Sequence, residues 1–299
     1  MNARDFAGYG VRLPTTRWPG DKGLAVSLVL NIEEGAECAL SAGDARNEDT
    51  HEVVHEIAGA RDFCMESHFE YGSRVGYHRV VNEFTRRGIP LTLNVCARAL
   101  EATPWVATDA ATHGFELCAH GWRWESHAGM SEARERDIIA RCVSTIERMT
   151  GRRPAGWHTK SSRSEHTRRL LVEHGFLYDS DAYNDERPYY VDVAGHRHLV
   201  LPYAFDTNDM RFFIGGAFVR GRDFADYVID ACQWQQREAR NAPSMLTIGL
   251  HTRIIGRPAR MSGLVTLLDY LLEQPDVWLA TREAIARRWR RVCPAESFG

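Results

Sequence analysis

The feature that most constrains this chain is an alternation. Short runs of almost wholly apolar residues recur at 24–31, 91–95, 115–119, 199–202, 245–251 and 277–280, and longer stretches with helical spacing separate them. A strand with one wet face alternates apolar and polar residues. A run that is apolar throughout is covered on both faces, as in parallel sheets flanked by helices. Between the runs, Ser131 is placed to cap a helix reaching Thr150, with Ile138, Cys142, Ile146 and Met149 on one face. Gly151 follows as a stop, and Pro154 restarts extended chain. Further helices are expected over 74–87, 165–174, 222–240, 259–273 and 282–292. Strands alternating with helices imply βα units. About seven such units without a linker predict an α/β fold: one distorted (β/α) barrel over residues 1–299. Residues 1–22 are expected to pack on it as an N-terminal extension, and 31–72 and 179–221 to form long irregular loops around a pocket.

Bulk properties exclude several classes. The chain has 299 residues, enough for a large core. Its net charge is −3 with no sustained basic tract, so a nucleic-acid footprint is not supported. No apolar run approaches the roughly 18 residues of a membrane span, and the first residues lack the basic-then-apolar pattern of an export signal. The cysteine count is seven, which is odd, and no CxxC pair occurs, so free buried thiols and cytoplasmic residence are expected. The partner that remains is a small-molecule substrate, with no nucleic acid and no membrane.

Three of the apolar runs stop at ionisable groups: Asn31-Ile-Glu33-Glu34, His120 and His251. In barrels, the C-terminal ends of strands carry the catalytic groups. Adjacent side chains diverge on an extended chain, so one of Glu33 and Glu34 can face a pocket. A carboxylate crowded there is expected to have a raised pKa and to act as a base. His120 precedes Gly121, which permits a sharp turn, and histidine suits proton transfer near neutrality. A glutamate base and a histidine acid match addition of water to an amide. Taken singly, a Glu-Glu pair is more often a solvated loop and a lone histidine a structural hydrogen-bonder. Their shared position at strand ends carries the reading.

Arg74, Arg123, Arg211, Arg253 and Arg257 have the fork that suits carbonyl or carboxylate groups, against the alternative of salt bridges to nearby acids. Trp122, Trp124, Trp157, Tyr183, Tyr189 and Tyr190 could wall a small pocket or simply pack. His51 and His55 have a metal-compatible i, i+4 spacing, but their polar surroundings read as an exposed helix start. HExxH, P-loop, Gly-x-Ser-x-Gly and dinucleotide motifs do not occur.

Together these segments resemble the polysaccharide deacetylase superfamily, and more narrowly its cofactor-independent allantoinase branch. The stretches that carry the resemblance include Gly8-Tyr-Gly10, Leu30-Asn-Ile-Glu-Glu-Gly35, Glu70-Tyr-Gly-Ser-Arg74, His120-Gly-Trp-Arg-Trp124, Asp206-Thr-Asn-Asp-Met-Arg-Phe212 and Leu250-His-Thr-Arg-Ile-Ile-Gly-Arg257. Their order and spacing are more specific than any one of them. The loop His158-Thr-Lys160-Ser-Ser-Arg163-Ser departs from the branch's pattern.

The resemblance implies Glu33 at the base position, Glu34 at a metal-ligand position, His120 as the first metal histidine and His251 as the proton donor. Trp124 replaces the second metal histidine. A catalytic zinc normally takes three protein ligands, so no cofactor is expected. A weakly held zinc on Glu34 and His120 is the alternative. Glu34, Asn31, Tyr71, Arg74, Arg123, Trp124, Trp157, Arg211 and Arg257 are expected to bind substrate. The activity implied is metal-independent hydrolysis of a C–N bond in a small cyclic ureide or imide, by a homo-oligomer and by resemblance a tetramer. The alternatives are a metal-dependent deacetylase or deformylase of a linear amide or amino sugar, the same chemistry on another cyclic imide or hydantoin, and a non-catalytic binding role.

Overall fold

The computed structural model describes residues 4–49, 57–213 and 216–295. His51 and His55 lie outside the described residues. The described residues form nine strands: β1 (Leu24–Ile32), β2 (Thr92–Val95), β3 (Glu116–Ala119), β4 (Gly156–Trp157), β5 (Tyr178–Asp179), β6 (Tyr189–Val193), β7 (His196–Val200), β8 (Ser244–His251) and β9 (Val277–Leu279). All belong to one sheet in the order β6-β7-β5-β4-β3-β2-β1-β8, with β9 also paired to β1. Pairing is parallel except for the β6–β7 hairpin. The sheet curls into a half-barrel, and a bridge between Asn208 and Gly249 extends it past β8.

The longest strand is β1, buried at all nine positions. It pairs with β8 along one edge, from Leu24 opposite Ser244 to Asn31 opposite His251. Its other edge is shared, first by β9 and then by β2, where Asn31 faces Asn94. This register brings Asn31, Asn94 and His251 into one row at the C-terminal ends, two residues before Glu33. Inside the barrel, Arg282 is fully buried. It donates to Ser27, Thr247 and Ser180 and to the carbonyls of Leu201 and Pro202, joining β1, β8 and the chain after β5 and β7.

Among the described residues ten α-helices surround the sheet: α1 (Phe63–Tyr71), α2 (Tyr77–Arg87), α3 (Ala97–Ala102), α4 (Trp105–His113), α5 (Glu132–Thr150), α6 (Thr167–Glu173), α7 (Gly221–Glu238), α8 (Thr252–Ile255), α9 (Pro258–Leu272) and α10 (Arg282–Val292). In α5 the Ser131 hydroxyl caps the amide of Arg134, and Gly151 ends the helix in the left-handed conformation. Its inward face is Ile139, Cys142, Val143 and Ile146, with Ile138 and Met149 at the margin.

The expected helix over 74–87 starts earlier, at Phe63, because Asp62 caps Met65. It passes through a π turn, Gly72–Gly76, before continuing as α2. The stretch expected as an irregular loop over 31–72 therefore contains α1, and that over 179–221 contains the β6–β7 hairpin. All seven cysteines are free thiols. No helix among the described residues is long and apolar enough to cross a membrane. At the N-terminus, Trp18 is buried and donates its indole N–H to Ser244, and Tyr9 bonds the carbonyl of Pro188.

The π turn has a positional purpose. It directs Gly72 at the Glu34 carboxylate and Gly76 at the backbone of α8. A methyl group on Gly76 would meet the Thr252 carbonyl oxygen at 2.0 Å. Gly76→Ala should therefore cost at least about 2 kcal/mol, toward the upper end for overpacking of a filled interior. Urea unfolding of the variant checks this, and a cost near zero would mean that α8 is free to move aside.

Candidate active site

The ends of β1, β3 and β8 converge. Glu33 is fully buried, and its two carboxylate oxygens have different neighbours. Oε2 accepts a hydrogen bond from Arg253 Nη1 at 2.7 Å. Oε1 lies 3.4 Å from Nε2 of His120 and 3.5 Å from Nε2 of His251, and has no hydrogen-bond partner among the described residues. Two imidazoles thus face one free carboxylate oxygen.

Each imidazole is oriented from behind. Nδ1 of His120 is 2.6 Å from the carbonyl of His158, so it carries the proton that it donates there. Nδ1 of His251 is 2.6 Å from Oδ1 of Asp209, whose other oxygen accepts the backbone amides of His251 at 2.7 Å and Ile255 at 3.1 Å. Asp209 is fully buried, and this pair fixes both the ring and the backbone of His251.

The expected raised pKa for a base at Glu33 is corrected by these neighbours. Burial alone would disfavour its charge, but the Arg253 guanidinium and the charge of His251 outweigh burial and hold its carboxyl well below the usual range. Burial likewise opposes the charging of His251, yet Glu33 and Asp209 push its pKa up to about 9. At neutral pH the site therefore holds an anionic Glu33 beside a protonated His251.

Glu34 diverges from Glu33 as the extended backbone requires, but it does not reach into a substrate or metal position. Its Oε1 accepts from the Thr252 hydroxyl and its Oε2 from the backbone amide of Glu33. Burial raises its pKa. Asn31 lies in the hydrogen-bonded floor, donating to Tyr203 and Leu250 and accepting from Asn94, which also bonds Nδ1 of His158. His158 is stacked on His120 with ring centroids 5.0 Å apart, and burial keeps it neutral by lowering its pKa well below the ordinary value.

Trp124 is buried against Phe69, with Lys160 Nζ 3.6 Å from its ring centre and the Arg253 guanidinium 5.0 Å away. Lys160 is held by both oxygens of Glu48 at 2.9 Å. The divergent 158–164 loop thus sends one residue to the histidine stack and another to Trp124.

Several other expected substrate contacts fall elsewhere. Arg74 is exposed and pairs with Glu70, one helical turn away on the same face. Arg123 clamps a loop instead, bonding both oxygens of Asp44 and the carbonyl of Glu37. Arg211 lies against Phe218 and Tyr227 on the α7 side. Trp157 is core, fully buried with its N–H on Thr159. Tyr71 and Arg257 form a half-buried stack at 3.6 Å, tied to Gly256 and His68. They are near α8 but not in the row of Glu33 and the histidines.

The residues that the selection of binding groups passed over are Arg253 and Asp209. Arg253 is fully buried, although its place two residues after His251 is visible in the sequence. Asp209 lies in the Asp206–Phe212 stretch, but only the Asn208–Gly249 bridge brings it beside His251.

A catalytic zinc would need three protein ligands here. The donor set does not fit one. Glu33 is taken by Arg253 and Glu34 by Thr252, and Trp124 offers no ligand atom. The Arg253 and Lys160 cations flank that ring. Among the described residues, no group of three His, Cys, Asp or Glu is arranged to hold a metal.

A groove of about 1400 Å³ is not over this row. It runs between residues 4–13 and 183–206, and touches the site only from behind, through Tyr183 and Tyr203. Their hydroxyls reach His158 and Asn31. The convergence of ionisable groups, rather than the size of the groove, marks the candidate site.

Comparison with known proteins places these observations. The "Polysaccharide deacetylase" family profile matches residues 59–178. A Schizosaccharomyces pombe protein, assigned by name to the polysaccharide deacetylases, is 34% identical and aligns over 96% of both chains. A Pseudomonas aeruginosa PAO1 structure, also assigned by name to those enzymes, superposes with a TM-score of 0.93 at 42% identity, covering 98% of this chain and 99% of that one. The structure of PuuE allantoinase superposes equally, with a TM-score of 0.93, 40% identity and the same coverage.

The His251 pKa gives a stability prediction. Its folded pKa is raised from 6.5 to about 9, so its pairing with Asp209 and Glu33 is worth most below pH 6.5 and is lost as pH rises through about 9. The melting temperature should fall over that interval. In Asp209→Asn the fall should shrink, and an unchanged slope would remove Asp209 as the cause.

Proposed function

Since the chain belongs to the polysaccharide deacetylase family and is a hydrolase-type enzyme, we propose that it opens a small cyclic amide, in the manner of an allantoinase, without a metal. The observation that carries this reading is the pair of imidazole nitrogens facing one free oxygen of an arginine-bound Glu33. Similarity to PuuE allantoinase over nearly the whole chain supports the substrate class.

In this reading Glu33 accepts the proton of the attacking water. His251, charged and backed by Asp209, donates a proton to the leaving nitrogen. His120, fixed through Nδ1, orients water or substrate with Nε2. A carboxylate with a depressed pKa is a weak base, so the site relies on proximity and on an activated carbonyl. A strained or electron-poor ring meets that demand better than an acetylated sugar. Ring opening also keeps the leaving nitrogen tethered beside His251. The Lys160 side of the site differs from the branch's pattern, which makes hydantoins and cyclic imides the rings to compare with allantoin.

Three measurements test this. Allantoin, hydantoin, succinimide and a linear N-acetyl amide should be assayed side by side, and turnover of the linear amide alone would overturn the cyclic reading. On the substrate that turns over, Glu33→Gln should lower kcat by roughly 10²–10⁴-fold. Near-normal turnover would remove Glu33 as the base. The pH profile should lose activity as pH rises through about 9, where His251 gives up the proton it must donate.

A further inference from the structure

Arg253 is a full positive charge placed in the protein interior at the end of β8. Its guanidinium lies over the Phe69 ring at 4.2 Å and 5.0 Å from the Trp124 ring. Among the described residues only Nη1 has carboxylate partners, Oε2 of Glu33 at 2.7 Å and Oε1 of Glu34 at 3.8 Å. Nε and Nη2 are buried without a hydrogen-bond partner among the described residues. A guanidinium kept only for stability would spend more of its five N–H groups, because each buried unpaired donor costs free energy. Here most of the group faces aromatic rings, which attract a cation without fixing its hydrogen bonds. What is fixed is one contact, to one oxygen of Glu33.

We propose that Arg253 is the positioning cation of this site, anchoring Glu33 through Oε2 so that Oε1 is presented to His120 and His251, in the place where a metal-dependent site would use an ion. Trp124 then has a role of its own. The position that could have held a metal-binding histidine instead supplies a face for the guanidinium, and Phe69 supplies another. The glycines of the π turn let α1 and α2 pass close enough to seat α8, which carries Arg253. The inference rests on the proposed reading for the identity of the reaction, but not for the role of Arg253, which holds for any amide attacked by water at this site.

A double-mutant cycle tests it on whichever amide the wild-type protein hydrolyses fastest. Arg253→Met should lower kcat by at least about 30-fold and change KM by less than about threefold, because the residue acts on Glu33 rather than on bound substrate. In the Glu33→Gln background the same change should lower kcat by less than about threefold, since its target is gone. Arg253→Lys, which keeps the charge but loses the planar fork, should fall between wild type and Arg253→Met. Circular dichroism identifies any variant that fails to fold, in which case the lysine variant carries the cycle. Equal losses in the two backgrounds would overturn the inference, as would a rise in KM with kcat unchanged. If the cyclic amides are inert and a linear amide is the substrate, the proposed function fails while the cycle still decides the role of Arg253.

Discussion

The ion pair between Arg253 and Glu33 is the interaction on which the rest of the site depends. Both partners are fully removed from water, and a buried ion pair gains little net stability because desolvation offsets the attraction. Removing one partner is a different matter and costs about 3–5 kcal/mol, since the other charge is left uncompensated. The fold around this pair is arranged to keep it intact. β1 delivers Glu33 from a fully buried strand, β8 delivers His251 and then Arg253 from the adjacent strand, and the two aromatic rings take the remaining faces of the guanidinium.

That arrangement accounts for the charges in the site. With Arg253 on one oxygen, Glu33 stays ionised despite its burial, and its negative charge together with Asp209 keeps His251 protonated. Glu33 and His251 are thus set in opposite charge states by their mutual field. The Glu34 carboxyl is occupied by the Thr252 hydroxyl, and burial raises its pKa. In the proposed reading, the same cation that makes Glu33 a dependable anion also makes it a weak base, so the reaction would find its driving force in the substrate.

Much of this fold is legible in the sequence because it repeats. β1 and β8 are long and apolar, and α5 has a serine cap, a 3.6-residue period and a terminal glycine, so local signals agree. β4 and β5 have two residues each and carry no period at all. They exist because longer neighbours hold them in register. The π turn is invisible for a similar reason: the expected helix over 74–87 runs through Gly76 unmarked, and the need for glycine there shows only once α8 is seen against it. In the site, Glu33, His120 and His251 stand out because each ends a strand. Arg253 follows His251 in a helix of four residues, too short for any burial pattern, and nothing local separates it from Arg257. Arg123 and Trp157 mislead in the opposite direction, because a motif's neighbours look functional when their partners, Asp44 and Thr159, are distant or ordinary.

The central claim is that the electrostatic role at this site belongs to protein side chains, with Arg253 as the cation. The most direct test is the rate of allantoin ring opening by protein treated with chelator, with its metal content measured and zinc then added back. Turnover that persists in metal-depleted protein and does not rise with zinc is the result the account predicts. Turnover that vanishes on depletion and returns in proportion to bound zinc would contradict it.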